Sequence, residues 1–133
     1  MTTTEQIVSI LYRLVNGSAL AAAVSGSIYT AEDRPADSVL EDITIGVVGN
    51  RPSQFQRGTA YVNIYVPKTR KGDALIRNRE RIDAIEPVAA SLLEHVLTSE
   101  YHFDLVDQRV QEVQGIDQHC IINELSFTIV NFK

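Results

Sequence analysis

Three histidines and a single cysteine are the residues of this chain best suited to nucleophilic or metal chemistry. His119 and Cys120 are adjacent in a run that reads as a strand, where neighbouring side chains point to opposite faces. They therefore cannot pair directly as base and nucleophile, and Cys120 reads as a buried core thiol. His95 beside Glu94, and His102 two residues before Asp104, pair imidazole with carboxylate. With no third and fourth ligand at a recognisable spacing, these pairs do not define a metal centre. The sequence also lacks a Gly-rich phosphate loop, a zinc-spaced cysteine pair and a nucleophile elbow. The reading is a non-enzyme with no cofactor and no bound metal. A competing reading, an enzyme using His102 and nearby carboxylates, would require a turnover that His102→Ala abolishes.

Charge is the second chemical resource. Residues 31 to 42 read as an acidic loop carrying Glu32, Asp33, Asp37, Glu41 and Asp42. The alternating oxygen ligands and ordered glycine of a calcium loop are absent. Solvated loop and contact surface are the two readings that remain. Farther along, Lys68, Arg70, Lys71, Arg77, Arg79 and Arg81 supply half of the chain's twelve lysines and arginines. Arg77 and Arg81 are spaced to share one helical face. A nucleic-acid patch would add exposed stacking aromatics and a strongly basic balance, whereas the formal net charge is -5. A solvated helix face and a protein contact with an acidic surface are the alternatives, and the chain carries such a surface itself.

The elements that must position these residues follow from periodicity. Thr2 to Glu5 has capping-box spacing, and Ile7, Ile10, Leu11 and Leu14 then share a helical face that Asn16-Gly17 can end. Ser18 opens a short Ala-rich turn, "SIYT" a short strand, and "ITIGVVGN" a longer one. In "SQFQRGTAYVNIYVPKTRKGD", Tyr61, Asn63 and Tyr65 alternate with Ala60, Val62, Ile64 and Val66, the pattern of a sheet with two different faces. Residues 49 to 56, with Gly49, Asn50, Pro52 and Ser53, are expected to form an irregular, mobile hairpin tip. From Asp73 a long helix is expected, with Leu75, Ile82, Ile85, Ala89, Leu92 and Val96 as its apolar stripe. Pro87 should kink it or open a second helix. Two final strands, roughly 101 to 113 and 118 to 132, meet at "QGID". The order α-β-β-β-α-β-β predicts a single α+β domain over residues 1-133, a mainly antiparallel sheet packed against that long helix in the C-terminal half.

A strand of 15 residues at ~3.3 Å per residue runs about 50 Å, longer than a compact domain of this size is wide. The final strand should therefore bend, bulge or project, and projecting strands leave edges that need a partner. No apolar run approaches the ~20 residues of a membrane helix. The N-terminal stretch lacks the basic start and cleavage site of a signal peptide.

The run "LYRLVNGSALAAAVSGSIYTAEDRPADSVLEDITIGVVG" resembles the start of the tail-completion, or tail-terminator, proteins that join head to tail in long-tailed bacteriophages. The shared features are a helix and Ala-rich turn, Gly26-Ser27-Ile28-Tyr29, a loop with Pro35, and the apolar strand Ile43 to Val48. "YVNIYVP", the helix from Asp73 and the final strands follow in the same order, so the resemblance spans nearly the whole chain. It implies a structural virion subunit, commonly a hexameric ring at the head-proximal end of the tail tube, assembled in the host cytoplasm. Tail tube protein and head-tail connector protein would be its partners, and DNA would pass through without specific binding. The resemblance implies no catalytic, cofactor or metal residues and no membrane association. Pro87 and the basic cluster depart from the family pattern.

In such a ring each subunit presents one surface and receives another. Arg70, Lys71 and Arg77 would face Glu32, Asp33 and Asp37 of a neighbour. Phe55 and Arg57, where the Tyr-lined strand begins, would reach toward it. An alternative reading is a small α+β ligand-binding or regulatory domain dimerising through its sheet, which would need a concave apolar pocket.

Overall fold

The computed structural model describes residues 1–131. Two helices, α1 (Thr4–Val15) and α2 (Ala19–Ala23), precede strands β1 (Ile28–Thr30), β2 (Ile43–Arg51) and β3 (Phe55–Pro67). A two-stranded arm, β4 (Thr69–Lys71) and β5 (Ala74–Ile76), leads into α3 (Arg79–Leu93). The chain closes with β6 (His95–Leu97), β7 (Tyr101–Glu112) and β8 (Gln118–Val130). Six strands form one sheet in the order β1-β2-β3-β8-β7-β6, with β1 parallel to β2 and every other pairing antiparallel.

The alternation along β3 sorts the sheet into two faces. Ala60, Val62, Ile64 and Val66 are buried, and their cross-strand partners on β8 include Leu125 and Ile121. Against them α1 sets Ile7, Leu11 and Val15, and α3 sets Ile82, Ile85, Ala89 and Leu93, in one continuous core. Asn123 lies in this face yet is satisfied: its amide donates to the Val62 carbonyl at 2.9 Å and accepts from Gln108 at 2.7 Å. Gln108 also donates to the Glu86 carbonyl at 3.1 Å, tying α3 to the sheet. The capping box of α1 is formed by Thr3 and Gln6, one residue beyond the expected pair. Gly17, at φ 78°, follows its C-cap.

The expected fold class is corrected by the sheet content: 45% of the chain is strand and 24% helix, and there is no long helix in the C-terminal half. The expected helix started at Asp73, with Leu75 on its apolar stripe, but residues 69–76 form a hairpin instead. The two-residue Gly72-Asp73 turn decides this, because Gly72 takes φ 62° and folds Lys71 opposite Ala74. Asn78 caps α3 in place of Asp73, its side chain accepting from the Arg81 N–H at 3.2 Å. Pro87 lies inside this one helix and does not open a second. His95 and Val96, read as helical, belong to β6.

The long strands meet the length constraint through their neighbours. β8 pairs without a register shift along β3, whereas β2 shifts at Val47/Gly49 and β7 at Leu105/Asp107. Each bulge pushes an apolar side chain outward, Val48 and Val106. The final strand ends at Val130, and position 132 of its expected span lies outside the described residues. Among the described residues no helix is long and apolar enough to cross a membrane.

Candidate functional site

The acidic segment between β1 and β2 splits into two classes of carboxylate. Asp42 is fully buried and receives the Ser27 N–H at 3.0 Å, the Arg34 guanidinium at 3.0 Å and the Ser38 hydroxyl. Arg34 in turn lies 3.9 Å above the Tyr65 ring and donates to Gln118 at 2.8 Å. It thereby folds the segment back over the outer face of the sheet. Glu41 accepts a two-pronged contact from Arg81, at 2.7 and 2.8 Å, and the Ser25 N–H at 3.1 Å. The Arg81 hydrogen bonds hold the Glu41 carboxyl below the usual glutamate range against the opposing cost of burial. Glu32, Asp33 and Asp37 stay exposed, and among the described residues only Asp33 has a side-chain partner, the Thr30 hydroxyl at 2.6 Å.

The basic cluster divides in the same way. Arg81 is committed to Glu41, and Lys68 pairs with Glu112 at 2.8 Å. Arg77 lies before α3 and so does not share a helical face with Arg81, as the spacing had suggested. Arg70, Lys71 and Arg77 are exposed and form no ion pair among the described residues. Arg70 and Lys71 sit on the β4–β5 arm, whose two strands pair only with each other. Leu75 and Ile76 of that arm remain 40% and 39% exposed. A two-stranded hairpin has little stability alone, so an arm with exposed apolar and cationic residues is suited to packing on another surface.

A second exposed group occupies the β2–β3 tip. Phe55 is 53% exposed, and Arg57 lies directly opposite Arg51 in the ladder. Like charges across a strand pair are unfavourable unless an anionic partner approaches. Arg51 is missed by the sequence reading, since only the register reveals that it faces Arg57. The base of this tip is tied down: buried Gln56 donates to the Thr2 carbonyl at 2.7 Å and accepts from Asn131 at 2.9 Å. Asn131 also donates to the Ser53 carbonyl at 3.0 Å. The candidate residues thus form separate patches, arm, tip and acidic segment, not one pocket.

Of the thiol and imidazole candidates, Cys120 is buried, and burial pushes its thiol up to about 12. A thiol held that far up carries little thiolate at neutral pH. His119 is buried too, and desolvation, followed by the charges of Arg77 and Lys68, lowers its pKa. His95, His102 and Asp104 come together on β6 and β7. The other concave surfaces include open grooves of about 400 Å³ between α1 and β2 and about 440 Å³ beside Val39 and Ile116.

No protein-family model matches the sequence, and no curated protein matches it. Among solved structures, the fold is similar to that of a chain in the virion of a native gene transfer agent (GTA) particle. The TM-score is 0.57 at 12% sequence identity, covering 91% of this chain and 92% of the other.

Proposed function

We propose that this chain is a structural subunit of a phage-like virion. In this reading it closes into a ring at the head-proximal end of the tail, ends the tube and joins it to the head. The observation that carries the reading is the β4–β5 arm, which stands outside the six-stranded sheet with Leu75, Ile76, Arg70 and Lys71 exposed. A feature of this kind needs a neighbour to cover it. One further observation supports a virion setting, the fold likeness to a gene transfer agent virion chain over 91% of this chain.

Light scattering and negative-stain microscopy of the full chain, alone and with its tail tube and connector proteins, test this reading. Rings are expected from the wild type in at least one of these mixtures. Leu75→Ser with Ile76→Ser should abolish them while the far-UV spectrum is kept. Rings that form equally well without these side chains would remove the arm from the assembly. A chain that stays monomeric in every mixture would overturn the ring.

A further inference from the structure

The geometry points to a transition-metal site on the outer edge of the sheet, formed by His95, His102 and Asp104. His95 and Asp104 are directly opposite in the β6–β7 ladder, and His102 precedes Asp104 by two residues. All three side chains therefore leave the same face. The Asp104 Oδ1 atom is 3.3 Å from His95 Nδ1 and 3.0 Å from His102 Nε2. The three candidate ligand atoms all lie within 4.8 Å of one another. Metal bonds of about 2.0–2.1 Å in a tetrahedral set place ligand atoms about 3.3 Å apart, so the two short distances already match a shared ion.

A second observation concerns His102 itself. Its Nε2 atom is buried and makes no hydrogen bond, although the Asp104 oxygen is only 3.0 Å away. A nitrogen close to a carboxylate oxygen but not aimed along a hydrogen bond suits two donors directed at a common third atom. The His95 and His102 rings meet edge to face at 5.0 Å, and His95 Nδ1 lies within hydrogen-bond distance of Asp104 Oδ1. Two imidazoles and one carboxylate favour Zn²⁺ or another late first-row divalent ion over Mg²⁺ or Ca²⁺, which prefer oxygen. Three protein ligands leave one coordination position for water. The ion would clamp the three-residue edge strand β6 to β7, and it does so independently of any role in a virion.

The test is calorimetric titration of Zn²⁺ into the tag-free full chain after chelator treatment, with Co²⁺ absorption to report coordination. One ion per chain is expected, with tetrahedral Co²⁺ bands and a rise in the thermal midpoint. His95→Ala and Asp104→Asn change partly exposed side chains, so both variants should fold. Each should weaken binding at least about tenfold, while His119→Gln leaves it unchanged. No binding by the wild type, binding as tight in His95→Ala and Asp104→Asn, or loss confined to His119→Gln would each overturn the site.

Discussion

At the scale of single residues, the carboxylates next to β2 show how this chain separates structural charge from surface charge. Gly26 passes so close to Asp42 that a Cβ there would lie 2.1 Å from Oδ1 and 2.6 Å from the Glu41 carbonyl. Neither atom can yield easily, because Asp42 is held by Ser27 and Arg34. Gly26→Ala should therefore cost about 1–3 kcal/mol in urea unfolding, and an unchanged midpoint would contradict the close approach. Arg81 gives a pH-dependent counterpart. Its bond to Glu41 lowers the carboxylate's folded pKa. A lowered folded pKa gives stability that is present above the unfolded value and is lost as pH falls through the folded one. The wild type should thus lose this contribution below about pH 4.3, the ordinary glutamate value. Arg81→Met should cost about 2–3 kcal/mol at neutral pH, less than for a fully enclosed pair, since the Arg81 side chain is 38% exposed. That variant should show a flatter acid limb; parallel limbs in the two proteins would exclude Glu41 as the linked group.

At the scale of elements, period-2 alternation made β3 readable, because over residues 60–66 it alternates buried with half-buried side chains. The ends of α3 and the arm before it were not readable from apolar spacing. Leu75 fitted the helical stripe, but a two-residue Gly-Asp turn reverses the chain before any helix can start. Asn78 then offers a cap nearer to Ile82 than Asp73 does. The sequence named His95 and the His102–Asp104 pair separately and could not join them, because His95 was placed on a helix and only the β6–β7 register sets it against Asp104. The hairpin tip is a third instance. Composition alone marks residues 49–56 as mobile, whereas the contacts made by Gln56 with Thr2 and Asn131 divide that segment. Hydrogen exchange should be fast at Ser53 and Gln54 and slower from Gln56 onward. Deleting Met1–Thr3 should accelerate exchange at Gln56 and Asn50, both of which bond the Thr2 carbonyl. Uniform fast exchange across the whole segment, with or without the deletion, would show that these contacts do not hold the tip.

At the scale of the whole molecule, a chain of net charge -5 leaves Arg70 and Lys71 exposed on the β4–β5 arm and Glu32, Asp33 and Asp37 exposed on the segment between β1 and β2. Internal pairing has already removed Lys68, Arg81, Glu41 and Asp42 from the exchange. In the proposed ring, Arg70, Lys71 and Arg77 would meet Glu32, Asp33 and Asp37 of a neighbour, a head-to-tail contact of the kind a closed ring uses. Exposed pairs contribute only ~0.2–1 kcal/mol each, so they would set register and partner choice while buried apolar surface supplies most of the association energy. Leu75, Ile76 and Phe55 are among the exposed apolar side chains, and in the proposed ring they would contribute to it. Reversing Arg70 and Lys71 to Glu should therefore weaken ring formation without unfolding the subunit, since both side chains are exposed and neither is ion-paired among the described residues. Glu32→Lys with Asp33→Lys, added to that variant, should partly restore assembly, because the sign of the contact is inverted on both sides. The defect should be largest at low ionic strength and shrink toward physiological salt, where the screening length falls to about 8 Å. Assembly of the charge-reversed chain that matches wild type at low salt would remove these six residues from the contact, even with the ring intact.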